Sequence, residues 1–356
     1  MQLGVSRVNL PARLAQADAA AALEAFVGSC RFATTRADAS GLTQPDDWRD
    51  ACAAAPGWPS ATAAAFFDAH FQTVRVGDGT AFATGYFEPE IRGSRTRRPG
   101  YEVPVYRMPP DLVRGWPDDV PQSERTGQAP LGRLDERGKY VPYYDRAQIE
   151  DGALAGRGLE LAWAVDAVEF FFLQVQGSGR LITPEGEVIR IGYAGQNGHG
   201  YTGIGALMRE RGLLGSGPGQ YAGSMQGIMQ YIRENPRDGA ALMRENESWV
   251  FFTELTGPNA AIGPLGSLGV PVRGESSVAV DPKFVPYGAP VVLDVDRGEA
   301  NGLWIAQDTG GAIRGANRFD TFWGAGTRAR DIAGGMSARG SAIVLLPKPA
   351  AARLLR

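Results

Sequence analysis

Two parts of the chain repeat their apolar residues with helical spacing. In the alanine-rich first 80 residues, segments 46–55 and 60–71 place apolar side chains three and four positions apart. Residues 201–214 and 223–236 continue the same spacing over a second turn. Because side chains at these spacings share one face of an α-helix, the pattern predicts short helices at the start of the chain and two clear amphipathic helices in its middle.

Strand patterns separate these helical parts. Residues 72–95 alternate apolar and β-branched positions around a Gly-Asp-Gly turn, which predicts a hairpin. The nearly continuous apolar run 159–182 predicts a buried strand that ends in the Gly-Ser-Gly of residues 177–179. Segments 186–198 and 248–255 predict further strands, and 100–145 predicts loops with short strands because it is rich in Pro, Tyr and Arg.

The last part of the chain, 262–345, has only strand patterns and predicts a compact β module. Within it, Gly310 and Gly311 follow an apolar run, and we expect them to turn the chain sharply because glycine accepts positive φ. A strand is predicted to resume at 312–315. The order is therefore helices first, a mixed module next and a β module at the end.

Composition sets the size and excludes some partners. The 356 residues suggest two domains, and an apolar fraction of 44% suffices for sizeable cores. The 48 glycines and 24 prolines suit a β-rich protein with many turns. A net charge of −3 offers no electrostatic attraction for nucleic acid or an anionic membrane. No apolar run reaches the roughly 18 residues of a spanning helix.

The cysteines and histidines are too few for a plausible structural metal site. A zinc site would need all four of Cys30, Cys52, His70 and His199, and their spacing fits no zinc pattern. We expect no metal and no cofactor. Both cysteines lie in helical stretches, so a disulfide in an oxidising compartment is favoured, while two buried small hydrophobic residues remain the cytosolic alternative.

Two aspartates in the β module carry the candidate chemistry. Asp308 precedes the Gly-Gly pair, and Asp320 stands between Phe319 and Phe322. Burial beside aromatic rings and a second carboxylate both raise a carboxyl pKa, and such an acid can protonate a glycosidic oxygen. Asp beside Gly is also common turn chemistry, and the residues alone favour turn caps. For Asp281, which begins a proline-containing turn, the structural interpretation is stronger still.

Other segments indicate a sugar ligand. Segments 84–90, 174–179 and 192–201 combine glycine turns with Tyr, Phe, Gln or Asn, and aromatic faces and amides are suited to bind sugars. Each could also be an ordinary turn. The chain has no phosphate-binding P-loop, no G-x-S-x-G nucleophile motif and no dinucleotide finger. His199 has no obvious serine or cysteine nucleophile beside it.

Taken together, these segments resemble the membrane-bound lytic murein transglycosylase A family. The resemblance covers most of residues 80–346. It rests on "TGYFEPEIRGSRTRRPGYEVPVYRMP", "FFFLQVQGSGRL", "IGYAGQNGHGYTGIG", "NESWVFF" and "DTGGAIRGANRFDTFWGAG". The last motif, with Asp281 upstream, is similar to the 3D module named for three aspartates. Five motifs in order are far more specific than any one of them.

The resemblance implies a mainly β fold: a double-psi β-barrel domain with a second β-barrel domain inserted into it, plus N-terminal helices. Residues 1–88 and 256–356 would form the catalytic barrel, and 89–255 the inserted substrate-binding domain, with a groove for a glycan strand between them. The implied reaction cleaves the β-1,4 bond between N-acetylmuramic acid and N-acetylglucosamine in peptidoglycan without water, leaving a 1,6-anhydromuramyl end.

The resemblance also assigns roles to residues. Asp320, after Phe, matches the family's catalytic aspartate and would act as acid and then base, and Asp308 would support it. The remaining expected substrate-binding residues are Tyr86, Gln176, Gly177, Ser178, Gly179, Tyr193 and Asn197. Arg314 could meet a lactyl or peptide carboxylate, although a solvated arginine is the more common situation.

Location and partners follow from the same resemblance. The first residues show no apolar signal core and no lipid-attachment cysteine, so we expect a trimmed form of an exported, periplasmic protein, with outer-membrane attachment left open. The expected partner is the peptidoglycan glycan strand, bound by a monomer; other cell-wall enzymes as partners are left open. A binding module without chemistry and a hydrolase of another β-1,4 glycan are the alternative functions.

Overall fold

A computed structural model describes residues 4–9, 14–257 and 263–355. The chain divides into two compact units: Met1–Glu88 with Gly257–Arg356, and the inserted Pro89–Thr256. In the described ranges, every helix is too short or too polar to cross a membrane. The first unit is referred to below as the barrel unit and the second as the inserted unit.

The N-terminal part of the barrel unit is a small helical layer followed by two strands. Its elements are Val5–Arg7 (β1), Gln16–Ala33 (α1), Arg49–Ala54 (α2), Ala63–His70 (α3), Phe71–Val76 (β2) and Thr80–Glu88 (β3). Helix α1 buries Ala19, Ala22, Leu23 and Phe26, the helical spacing that packs one face on a sheet. The helices predicted at 46–55 and 60–71 are confirmed by α2, α3 and the 3₁₀ turns before them.

A disulfide joins Cys30 of α1 to Cys52 of α2. This confirms the disulfide alternative over two separate buried thiols. The bridge fastens α2 to the helix that packs on the barrel, where Gln307 donates from Nε2 to the Ala25 carbonyl at 2.7 Å and to Ser29 Oγ at 2.9 Å. The stapled helix is thus bonded to the residue that directly precedes Asp308.

Loss of this bridge should destabilise the barrel unit. The cysteines are 22 positions apart, and closing a loop of that length stabilises a fold by about 3 kcal/mol. We expect Cys30→Ser/Cys52→Ser to lower the free energy of unfolding by about that amount in a urea titration. Reductant should bring the native chain to the variant's value and leave the variant unchanged. A native chain whose stability is insensitive to reductant would contradict this expectation.

The inserted unit contains nine strands and five helices in its described residues. The strands are Glu90–Ser94 (β4), Val103–Tyr106 (β5), Val113–Arg114 (β6), Leu131–Leu134 (β7), Tyr140–Pro142 (β8), Glu160–Ala164 (β9), Ser178–Ile182 (β10), Val188–Gln196 (β11) and Val250–Glu254 (β12). The helices are Arg146–Glu150 (α4), Ala167–Gln176 (α5), Ile204–Glu210 (α6), Met225–Glu234 (α7) and Pro236–Arg244 (α8).

Six of these strands curl into the second barrel. Their order is β12-β11-β10-β4-β9-β5, and a parallel bridge between Arg107 and Phe252 brings the two outer strands together. The interior is aromatic and aliphatic, with Val105, Leu173 and Phe251 fully buried. Strands β6, β7 and β8 form a separate three-stranded sheet.

The strand predicted over 159–182 is wrong, because its middle is helix α5. Asp166 caps this helix by accepting hydrogen bonds from the N–H groups of Val168 and Glu169, and Gly177 ends it in the left-handed conformation at φ 77°. A continuous apolar run fits a buried helix as well as a buried strand. The aspartate cap and the terminal glycine are the signals that distinguish them.

The C-terminal part completes the barrel unit. Its elements are Ser277–Ala279 (β13), Pro290–Val295 (β14), Gly302–Asp308 (β15), Arg318–Ala325 (β16), Thr327–Gly335 (α9), Ser337–Pro347 (β17) and Lys348–Leu354 (α10). The strands β17-β14-β15-β13-β16-β3 follow one another, and β17 pairs again with β3, so six strands form a closed ring. The pairs β13–β15 and β3–β16 are parallel. This is the double-psi barrel that the resemblance implied.

Three further predictions about elements are corrected. Strands β2 and β3 do not form a hairpin; each pairs with a different half of β17. The module after residue 262 is not all β, because α9 packs on β3 and β16. Residues 312–315 lie in the loop between β15 and β16, not in a strand. The helix α8, which begins at Pro236, was not predicted.

Candidate active site

Strand β13 brings the two candidate carboxylates to one place in the barrel. Ala279 pairs with Asp308 of β15 on one side and with Asp320 of β16 on the other. Residues in register on neighbouring strands lie on the same face, and strands are about 4.8 Å apart, so the two aspartate backbones are separated by roughly 10 Å. Their side chains are both half-buried.

The Gly-Gly pair does not produce this arrangement, contrary to the sequence-based expectation. In the loop between the two aspartates, Gly310 and Gly311 lack positive φ, and Gly315 adopts it at 107°. The N–H of Gly315 donates to Asp281 Oδ2 at 2.9 Å, and Asp281 Oδ1 accepts from the N–H of Lys283 at 3.1 Å. Asp281 is buried, and the structural interpretation of this residue is confirmed.

Asp308 is a carboxylate surrounded by donors. Its Oδ1 accepts from the Ser267 N–H at 2.8 Å, the Ser267 hydroxyl at 2.7 Å and the Thr309 N–H at 2.8 Å. Its Oδ2 accepts from the Tyr86 hydroxyl at 2.9 Å. Burial raises the pKa of Asp308, and these hydrogen bonds oppose the rise. Four donors stabilise the ionised form.

Asp320 has a much poorer set of donors. The Thr84 hydroxyl donates to its Oδ1 at 2.6 Å, from the residue that is in register with it on β3. Burial raises the pKa of Asp320 to about 6; Asp308 adds to the rise, while Thr84 and Arg318 oppose it. Of the two carboxyls, Asp320 is therefore the one suited to carry a transferable proton near neutral pH.

Tyrosines complete the surroundings of Asp308. Tyr86 is nearly buried, and its ring packs on Phe322 with centroids 4.9 Å apart. The Tyr86 hydroxyl thus lies beside Asp308. Burial and the two carboxylates raise the pKa of Tyr86 well above its usual range and keep the phenol protonated. Tyr287 also lies nearby: burial, and then Asp308, raise its pKa to about 12.

Sequence reasoning missed Ser267, Thr84, Tyr287 and Arg318 as site residues. Thr84 lay within a quoted motif, and its alternation with Tyr86 on a strand was a usable signal. Ser267 and Tyr287 lie in loops whose approach to Asp308 depends on tertiary structure, so no local pattern marks them.

The predicted substrate residues at 176–179 lie where α5 passes into β10. Gln176 is half-buried at the last helical position, and Ser178 is buried at the start of the strand. The Gly177 N–H donates to the carbonyl of Leu173 at 3.0 Å. A Cβ on Gly179 would come within 2.4 Å of the Leu173 side chain. Glycine is therefore favoured at 177 by the left-handed backbone conformation and at 179 by close packing against Leu173.

Tyr193 and Asn197 have opposite environments on the inserted unit. Tyr193 is 54% exposed and presents an aromatic ring to solvent. Asn197 is fully buried; its Nδ2 donates to the carbonyls of Tyr144 and Glu247, each at 2.9 Å, and its Oδ1 accepts from the Trp249 N–H. The structure gives Asn197 a structural role in place of the predicted contact with substrate.

The remaining candidates carry no catalytic arrangement. His70 packs on Phe66 in the barrel unit, and His199 donates from Nε2 to the Tyr143 carbonyl at 2.7 Å in the inserted unit. Within the part of the chain that the structure describes, no three His, Cys, Asp or Glu side chains form a group that could hold a metal ion. Arg314 is exposed.

Two family models match the chain. The MltA specific insert domain matches residues 82–253, and the 3D domain matches residues 276–346. The first match covers nearly all of the inserted unit and most of β3, the strand that precedes it in the chain. The second contains β13 to β17 and all three aspartates of the module.

Known proteins resemble the chain along much of its length. The membrane-bound lytic murein transglycosylase A of Vibrio cholerae is 32% identical over 262 residues, which are 70% of this chain and 61% of that protein. The chain thus spans less than two thirds of this relative. The crystal structure of a membrane-bound lytic murein transglycosylase from Agrobacterium tumefaciens has a TM-score of 0.85 at 29% identity, covering 99% of both chains. MltA from Neisseria gonorrhoeae has a TM-score of 0.72 at 35% identity, covering 93% of this chain and 87% of that one.

Proposed function

The chain belongs to the membrane-bound lytic murein transglycosylase A family, and from that premise we propose that it is a lytic transglycosylase of peptidoglycan. The reaction is cleavage of the β-1,4 bond between N-acetylmuramic acid and N-acetylglucosamine. The observation that carries the proposal is the unequal pair of carboxyls on one barrel face. Asp308 accepts four hydrogen bonds, whereas Asp320 holds its proton up to a pKa of about 6.

In the first step, protonated Asp320 is the general acid. It gives its proton to the glycosidic oxygen, which leaves as the 4-hydroxyl of N-acetylglucosamine when its bond to C1 of the muramyl ring breaks. Positive charge develops at C1, and Asp320 becomes a carboxylate. Asp308 makes this starting state available because a nearby negative charge favours the protonated form of Asp320.

In the second step, the Asp320 carboxylate is the general base. It takes the proton from the C6 hydroxyl of the same muramyl ring, and the C6 oxygen forms a bond to C1. This step restores protonated Asp320 and yields the 1,6-anhydro ring, so one carboxyl suffices where a hydrolase uses two. The nucleophile is already tethered to the reacting sugar, which removes most of the entropic cost of bringing it into place.

We propose that the inserted unit binds the glycan strand. Gln176 and Tyr193 supply an amide and an exposed aromatic face, which suit acetamide groups and sugar rings. Gly177 and Gly179 shape the corner at which Gln176 is half-buried and Ser178 is buried. Tyr86 contributes from the barrel unit by holding Asp308.

The proposed place of action is the bacterial cell envelope. The substrate exists only there, the relatives are named membrane-bound, and a disulfide is typical of an oxidising compartment. We propose a periplasmic protein.

Digestion of purified peptidoglycan sacculi followed by mass spectrometry tests the proposed function. Muropeptides with 1,6-anhydromuramyl ends are the expected products. Products heavier by one water, with reducing ends, would show a hydrolase. An absence of products while the protein still sediments with sacculi would show a binding module. Asp320→Asn protein serves as the matched control for contaminating enzymes.

A further inference from the structure

We propose that Arg318 is a positioning residue that acts on Asp320 through the hydroxyl of Thr84. The inference deepens the proposed function and rests on Asp320 being its acid and base. The three side chains form one chain of hydrogen bonds: Arg318 Nη2 donates to Thr84 Oγ1 at 2.9 Å, and Thr84 Oγ1 donates to Asp320 Oδ1 at 2.6 Å.

The direction of these bonds is fixed by chemistry. A guanidinium group only donates, whereas a hydroxyl has one hydrogen and two lone pairs. Thr84 must therefore use a lone pair for Arg318, and its single hydrogen is directed to Asp320. Without Arg318, the hydroxyl could turn its hydrogen elsewhere. With Oδ1 engaged by this donor, Oδ2 is the oxygen of Asp320 that carries the transferable proton.

The barrel register builds the arrangement. Strands β16 and β3 run parallel, with Arg318 opposite Phe82 and Asp320 opposite Thr84. Positions two apart on a strand share one face, so the four residues form a square on one surface. The guanidinium lies 4.8 Å from the centroid of the Phe82 ring and also donates to the Phe319 carbonyl. These contacts hold it against Thr84.

The charged and titratable groups around Asp320 come from several strands. Arg318 is on its own strand β16, Asp308 on β15 and Tyr86 on β3. Arg339 of β17 lies 4.9 Å from the centroid of the same Phe82 ring, and no hydrogen bond joins it to Thr84 in the described structure. The chain of bonds from Arg318 stabilises the ionised form of Asp320, against the effects of burial and Asp308. It thereby keeps the group able to act as a base in the second step.

The pH dependence of kcat/KM tests the role of Arg318. Asp320 must be protonated to start the reaction, so activity of the native enzyme should fall as pH rises past about 6. Thr84→Val and Arg318→Gln each remove a group that favours the carboxylate, so the pKa should rise. We expect the alkaline limb to move upward by roughly one pH unit in each. Thr84→Ser, which keeps the hydroxyl, should restore the native limb.

The double variant Thr84→Val/Arg318→Gln distinguishes an effect transmitted through the Thr84 hydroxyl from a direct electrostatic effect of the Arg318 charge on Asp320. If Arg318 acts through Thr84, adding Arg318→Gln to Thr84→Val should move the limb by less than half the shift seen in the native background. Equal shifts in both backgrounds would overturn the proposal, as would an unmoved limb in Arg318→Gln. Arg339→Gln is the matched control: it removes the other guanidinium over Phe82 and should leave the limb in place.

A second measurement keeps this inference apart from the proposed function. The Asp320 carboxyl can be titrated by NMR in protein labelled at aspartate side-chain carbons, with the signal assigned by its loss in Asp320→Asn. The same shifts should appear without any substrate. If the Asp320 pKa shifts in the variants but the native protein has no activity, the role of Arg318 is supported and the proposed function is rejected. If the native protein is active but the Asp320 pKa does not shift in the variants, the proposed function is supported and the role of Arg318 is rejected.

Discussion

Replacing Asp320 with asparagine should reduce the release of anhydromuropeptides from sacculi by about 10²- to 10⁴-fold, the usual contribution of a positioned general acid or base. Asparagine fills nearly the same space but cannot give a proton to the leaving oxygen or take one from the C6 hydroxyl. The Thr84 hydroxyl can still donate to its amide oxygen, so the fold should persist. Initial rates of product formation, with thermal unfolding measured in parallel, check this.

Asp294→Asn is the matched control for this change. Asp294 is on β14 of the same barrel but is exposed to solvent, so the variant loses one carboxylate and none of the proposed chemistry. Its rate should equal that of the native protein. Full activity in Asp320→Asn would move the catalytic assignment to another residue.

Replacing Asp308 with asparagine should have a smaller effect that depends on pH. The charge of Asp308 raises the pKa of Asp320, so its removal lowers that pKa and shifts the alkaline limb to lower pH. A fall of roughly one unit would reduce the protonated fraction about 10-fold at pH 7 and much less at pH 5. Rates measured across this range, beside Asp294→Asn, give the result.

The outcome that would contradict this division of roles is also clear. If Asp308→Asn were as inactive as Asp320→Asn at every pH, Asp308 would itself transfer a proton in the reaction. A residual rate that approaches the native one at low pH would instead support its electrostatic role.

The two aspartates were evident in the sequence, but the reason for their proximity was not. The Gly-Gly pair suggested a sharp bend, whereas the structure brings the residues together through Ala279, which pairs with both. Ala279 lies 29 positions before Asp308 in the chain. No spacing rule for a single segment can show that β13 inserts between two later strands.

The errors in secondary structure have a common physical cause. The run 159–182 is so rich in apolar residues that its periodicity cannot separate helix from strand. Helix α9 was not predicted for the opposite reason, which is that its segment has too few apolar residues. The helix is short, carries small residues and buries only Ala329 and Ala333. In both cases tertiary packing decides the conformation.

The route of the chain through the barrel has a consequence for synthesis in the cell. Thr84, on β3, precedes the inserted unit, and its partner Asp320 comes 236 residues later. Because the chain is synthesised from its N-terminus, the six-stranded barrel cannot close before the inserted unit and β16 have been made. The hydrogen bond from Thr84 to Asp320 cannot form before then either. A protein shortened anywhere before β16 therefore lacks Asp320, the proposed acid. Under the proposed function, this topology confines lytic chemistry to molecules whose synthesis has passed β16.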